Sequence, residues 1–149
     1  INPVPTQKIE WWVGASTSKA GIRRAAALGD AWYAAPFLNP IKAKELLDLY
    51  RQYCGEYGKS PRPIIRKDVI VLNDGAKAKR LGETLIEKGY RGMREDALII
   101  GSPEQAVEQL QTFKELGFTD VTCRCMTIQQ EESIETINLL GEVKTLLKS

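Results

Sequence analysis

Gly14-Ala15-Ser16-Thr17-Ser18 sets a residue without a side chain ahead of three hydroxyls, just before a helical pattern that opens at Lys19. Glycine lets a ligand approach the backbone, and a helix N-terminus offers unpaired N–H groups with positive partial charge. With hydroxyls alongside, that combination suits a phosphate. The same hydroxyls would also serve an ordinary helix cap, Ser18 accepting from an amide two or three residues on. The residues alone leave both readings open. Arg124 is the second candidate: it stands near the end of a strand pattern and alternates away from Cys123 and Cys125. Facing inward it could pair with a phosphate or a carboxylate; facing outward it would join a surface or interstrand ion pair. Trp32 and Tyr33 read as core packing, with ligand contact as the alternative.

Other chemistries find little support. There is no His, Asp68 falls mid-strand, and Asp74 reads as a turn former, so no acid–base pair is visible. No nucleophile elbow or triad pattern occurs. Cys54, Cys123 and Cys125 are odd in number and lack framework spacing, which fits reduced, buried structural thiols in a cytoplasmic protein. No metal site is expected.

The elements that must position these residues come from an ordinary globular composition, 43% hydrophobic and 27% charged over 149 residues, enough for one domain. A net charge of +2, with basic residues interleaved among acids, argues against a nucleic-acid surface. No apolar stretch approaches the roughly 18–20 residues of a membrane span, and the start, Ile1-Asn2-Pro3-Val4-Pro5, has no signal-peptide architecture. Without an initiator Met, that start fits a segment of a longer chain or a processed protein.

Periodicity predicts strands at Ile9 to Val13, closed by Gly14, then Asp30 to Ala34, Ile64 to Leu72 and Thr119 to Met126. Helices are expected over Lys19–Leu28 (stripe Ile22, Ala25, Ala26, Leu28; cap Gly29), Ile41–Glu56 and Ala76–Lys88. An irregular stretch runs from Gly89 to Ile100. Ser102-Pro103-Glu104-Gln105 is a capping box with Pro at the first helical position, opening a helix that ends at Gly117. A last helix, Glu131–Leu147, is expected to bury Ile134, Ile137, Leu140, Val143 and Leu147. Strand, loop and helix thus repeat four times, which implies parallel pairing through right-handed crossovers. Pattern alone does not separate an open doubly wound sheet from part of a barrel, although the dinucleotide glycine fingerprint is missing after Val13-Gly14-Ala15-Ser16-Thr17.

Several phrases, in order, separate them. Trp12-Val13-Gly14-Ala15-Ser16, Arg23-Arg24-Ala25-Ala26-Ala27-Leu28-Gly29-Asp30-Ala31-Trp32, Ile100-Gly101-Ser102-Pro103-Glu104-Gln105-Ala106, Gly117-Phe118-Thr119-Asp120-Val121 and the tail from Glu131 to Gly141 resemble the second half of the luciferase-like, flavin-dependent oxidoreductases and monooxygenases. The resemblance implies an α/β fold, the C-terminal half of a (βα)8 TIM barrel, with residues 1–149 forming a single (βα)4 segment. It implies FMN, or alternatively a deazaflavin coenzyme, with its phosphate on Gly14, Ala15, Ser16, Thr17 and Ser18 and with Arg124 in the cofactor-binding set. No catalytic residue is assigned, because most of the pocket would lie in the missing N-terminal half, and the segment alone is expected to be inactive. The alternative is a self-standing half-barrel whose free edges and apolar concave face pair with a second copy, giving a homo-oligomer.

Overall fold

The computed structural model of the chain describes residues 4–127 and 129–148; Ile1 to Pro3, part of the segment read above as the chain's start, lie outside them. Five parallel strands and five helices alternate: β1 (Trp12–Ala15), α1 (Lys19–Leu28), β2 (Ala31–Ala34), α2 (Pro40–Glu56), β3 (Pro63–Val71), α3 (Gly75–Glu87), β4 (Ile99–Gly101), α4 (Pro103–Leu116), β5 (Asp120–Cys125) and α5 (Gln130–Leu146). Among the described residues no helix is long and apolar enough to cross a membrane.

The helix starts follow their capping residues. Ser18, Asn39 and Asp74 each accept a hydrogen bond from an amide three positions on. At α4 both halves of the capping box form, Ser102 with the Gln105 amide and Gln105 with the Ser102 amide. Gly117 closes α4 at φ 104°, a left-handed conformation that glycine adopts without penalty. Gly29 follows α1 for a different reason: its backbone is extended, but a Cβ there would lie 2.8 Å from the carbonyls of Ala25 and Ala31.

Most element ends fall within one residue of the sequence reading, and two differences go further. The first strand starts at Trp12 and runs through Gly14 to Ala15, so Gly14 pairs with Tyr33 instead of ending the strand. A short additional strand, β4, lies at the end of the stretch read as irregular. Its place follows from the ladders. β3 pairs with both β2 and β5 at Ile64 and Ile65, and with both β4 and β5 at Val69. A strand has two edges, so β5 holds one and β2 and β4 share the other at opposite ends.

The wall β1-β2-β3-β5 is the half-barrel, and β4 is a step back along it. A right-handed crossover taken in the reverse direction puts its helix on the opposite face. α3 accordingly packs on Ile70 and Ile100, so closely that a Cβ on Gly82 would lie 2.5 Å from Ile100 Cδ1. The other helices cover the face of Trp32, Ile65, Val69 and Val71, contributing Ile22, Leu47, Phe113 and Val143 to the main core.

Two helix stripes are also corrected. Leu28 is exposed, and α1 buries only Ile22, Ala25 and Ala26. Ile134 and Ile137 of α5 are 48% and 60% exposed, while Thr136, Leu139 and Val143 are buried. The cause is a polar contact that an apolar period cannot reveal. Beyond the end of β5, the edge of Val71 lacks a strand partner, and Thr136 Oγ1 supplies one by donating to Val71 O (2.9 Å) and accepting from Val71 N (3.3 Å). That turns α5 on its axis.

Candidate functional site

Side chains alternate across a strand, so the ladder register sorts the sheet into two faces. Opposite the main core stand Trp12, Gly14, Tyr33, Ile64, Arg66, Asp68, Thr122 and Arg124. This inner face is aromatic and charged, not the apolar concave surface anticipated for a self-pairing half-barrel. Trp12 stacks on Tyr33 at 6.1 Å between ring centroids, and the Tyr33 hydroxyl reaches over β3 to Thr122 Oγ1 at 2.7 Å. Trp32 lies in the core as expected, fully buried, with its indole N–H donating to Ala15 O at 2.9 Å.

That bond anchors the first candidate. Ala15 is held in β1 and buried, and the chain then turns through exposed Ser16, Thr17 and Ser18 into α1. Ser18 Oγ accepts from Gly21 N at 3.2 Å, which is the capping role. The Ser16 and Thr17 hydroxyls make no hydrogen bond among the described residues. Nothing lies within 4 Å of where a Gly14 Cβ would be, and the first turn of α1 holds no acid but begins with Lys19. The turn therefore brings together hydroxyls, helix amides, a cation and an open glycine, a donor set that fits a phosphate.

Arg124 does alternate away from Cys123 and Cys125, as the spacing predicts, and shares the inner face with Thr122. It is exposed. The structure does not bring it onto the Gly14–Ser18 turn: β2 and β3 intervene, a lateral separation of about 14 Å at ordinary strand spacing. Its neighbour across the ladder is Asp68, a fully buried carboxylate. Asp68 Oδ2 accepts from the Tyr90 hydroxyl at 2.9 Å and from Arg91 Nη1 at 3.3 Å. Arg66 Nε lies 3.3 Å from Oδ1 but out of line, so Oδ1 and Arg66 Nε and Nη2 have no hydrogen-bond partner. Burial and the bond to Asp68 raise the Tyr90 hydroxyl above its usual value, while Arg124 and Arg91 oppose the rise.

Arg66, Tyr90 and Arg91 were not identified from sequence. The available signal was the charged triplet Arg66-Lys67-Asp68 within a β-branched strand; Tyr90 and Arg91 come from a turn whose position only the folded chain sets. Lys67, between them in sequence, faces the other way and is fully buried. Its ammonium donates to Leu38 O at 2.5 Å, Ala97 O at 3.1 Å and Pro36 O at 3.5 Å, with the Phe113 ring 4.1 Å from Nζ. Of the cysteines, Cys54 is buried as expected, but Cys125 is half-buried and Cys123 exposed, because β5 is an edge strand, paired among the described residues only with β3.

No family model matches the sequence, and no curated protein matches it. Solved structures do. MsnO8, in its apo form, superposes with a TM-score of 0.75 at 20% identity, over 97% of this chain and 53% of its own. The coenzyme F420-dependent tetrahydromethanopterin reductase from Methanopyrus kandleri gives 0.69 at 18%, over 90% and 49%. The oxygenating constituent of 3,6-diketocamphane monooxygenase from Pseudomonas putida, a type II Baeyer-Villiger monooxygenase in complex with FMN, gives 0.69 at 15%, over 87% and 46%. The chain spans about half the length of these structures. The fold is the one shared with about half of each of these structures, the half of a TIM barrel that the sequence phrases led us to expect.

Proposed function

We propose that this chain is the C-terminal half of the barrel of a luciferase-like flavin-dependent oxidoreductase or monooxygenase, acting in the cytoplasm and inactive without the other half. The observation that carries the reading is the Gly14–Ser18 turn. It lies at the C-terminal end of a barrel strand, where such folds build their sites, and its Ser16 and Thr17 hydroxyls have no hydrogen bond among the described residues. Gly14, Ala15, Ser16, Thr17 and Ser18 would hold the phosphate of FMN, or of a deazaflavin coenzyme, with Lys19 beside them; Arg124 would meet an anionic group farther along the inner face. The flavin, when bound, supplies the redox chemistry. These residues orient it by its phosphate end, and Trp12 and Tyr33 offer a stacking surface.

The reading expects the chain to bind FMN more tightly than riboflavin, which lacks the phosphate. Ser16→Glu, placing a like charge at the turn, should remove the preference. Fluorescence titration of both flavins checks this, and equal affinity for the two would sink it.

A second reading has its own observation. Among the described residues β1 and β5 are free edges, and Ile134 and Ile137 leave an apolar strip exposed on α5 beside β5, so a helix and strand are left uncovered together. A second copy or a separate N-terminal half would cover them. Sedimentation of the chain alone at micromolar concentration should show a dimer, and a well-folded monomer would leave only the other half as occupant.

A further inference from the structure

Asp68, Arg66, Arg91 and Arg124 place three guanidiniums around one carboxylate on the inner face, a surplus of two positive charges. The arrangement is built into the chain. Gly89, Arg91 and Gly92 all have positive φ, at 77°, 49° and 66°. For Arg91, which carries a side chain, that conformation is unfavourable. The turn is held there by its own side chains: Tyr90 and Arg91 both bond to Asp68 Oδ2. With that oxygen engaged and Arg66 against the other, Arg124 is left beside a carboxylate it does not pair with. It has no ion pair or hydrogen bond among the described residues. The acid on this face of β5, Asp120, is near Arg62 at 3.7 Å.

An unpaired exposed arginine is ordinary by itself. Here it adjoins buried polar atoms that make no hydrogen bond among the described residues, Asp68 Oδ1 and Arg66 Nε and Nη2; the 3.3 Å ion pair between Oδ1 and Nε leaves their hydrogen-bonding capacity unused, and such atoms in native proteins call for an explanation. We propose that Arg91 and Arg124 clamp a small oxyanion, the acid group of a substrate, beside the middle of β3 and the C-terminal end of β5. Arg66 and Asp68 act as positioning residues that fix the Arg91 turn. A guanidinium fork matches the paired oxygens of a carboxylate or phosphate, and the surplus charge excludes a cation. The Tyr33–Thr122 pair lies lower on the same face and forms the floor. The site stands apart from the Gly14–Ser18 turn, so anion binding here does not depend on the flavin phosphate; only the assignment of the anion to a substrate rests on the oxidoreductase reading.

The test is a residue-resolved NMR titration of the chain with malonate and, separately, with inorganic phosphate. Saturable shifts are expected at Arg91, Thr122 and Arg124. Arg124→Gln and Arg91→Gln should each weaken binding by about tenfold or more, the worth of one charge-assisted hydrogen bond, whereas Arg24→Gln on the exposed face of α1 should leave it unchanged. Because Arg124 is exposed, its variant keeps the test open if Arg91→Gln disturbs the turn. Tighter binding of malonate would assign a carboxylate, and tighter binding of phosphate a phosphate. Shifts confined to Gly14–Ser18, undiminished binding in Arg124→Gln, or no saturable shift with either anion would overturn the proposal.

Discussion

Trp32→Ala is expected to lower folding stability by about 3–5 kcal/mol, the range for removing a large aromatic from a packed core. Trp32 is fully buried, packs against Tyr50 and Phe118 at 5.3 and 6.0 Å between centroids, and satisfies Ala15 O. The two contributions can be separated. Trp32→Phe keeps most of the apolar volume and drops the hydrogen bond, so it should cost less, about 1–3 kcal/mol for the orphaned carbonyl plus the residual cavity. Urea denaturation of the three proteins measures both, and a loss below about 1 kcal/mol for Trp32→Ala would show that the site collapses freely. The consequence extends to function. Ala15 O immediately precedes the Ser16–Ser18 turn, so the tryptophan that fills the core also fixes where the candidate phosphate donors begin, and flavin binding should weaken in Trp32→Phe before folding fails.

Lys67 carries the second large effect, and it depends on pH. Burial pulls its ammonium down to about 7, against the opposing pull of Asp68 and Asp96. In the unfolded chain it titrates near 10.4. Below pH 7 the lysine is charged in both states and the cost of burying it is constant. From about pH 7 to 10 the unfolded chain holds the proton more firmly, so it binds more protons than the native state and stability rises with pH. The thiol of Cys54, raised by burial, works in the opposite direction above its unfolded value, so the quantity to compare is the difference between the native chain and Lys67→Met. That difference should grow in favour of the native chain between pH 7 and 9.5, and a flat difference would refute the account. At pH 7 Lys67→Ala should itself cost about 3 kcal/mol, since it withdraws the donor from the carbonyls of Leu38, Ala97 and Pro36 at about 1–3 kcal/mol for each buried group left unmade. Relief from burying an ammonium offsets part of that sum. Those carbonyls belong to the segment after β2 and to the turn before β4, so the lysine ties two otherwise separate loops to β3.

Much of this architecture was written locally. Ser18, Ser102-Pro103-Glu104-Gln105 and Gly117 act within a turn of their own helices, and their geometry is set by residues three or four positions away, which is why the helices could be placed from sequence. The Gly14–Ser18 turn was legible for the same reason: a glycine and three hydroxyls before a helix are a local arrangement. So was the alternation that turns Arg124 away from Cys123 and Cys125. What the sequence could not determine depends on partners far along the chain. β4 is three residues long, too short for a period to show, and exists because β3 extends past the end of β2 and leaves an edge open. The exposure of Ile134 and Ile137 follows from one hydroxyl reaching Val71, 65 positions earlier. Asp68 reads as a mid-strand acid until Tyr90 and Arg91 arrive, 22 and 23 positions later, on a turn held against its backbone preference. The sequence by itself determined the five helices and every strand but β4, and it singled out the Gly14–Ser18 turn as a candidate phosphate grip. Only the tertiary structure decided which face each strand residue serves, and so which charges meet, because register and crossover direction are set by packing and ladder pairing between distant segments.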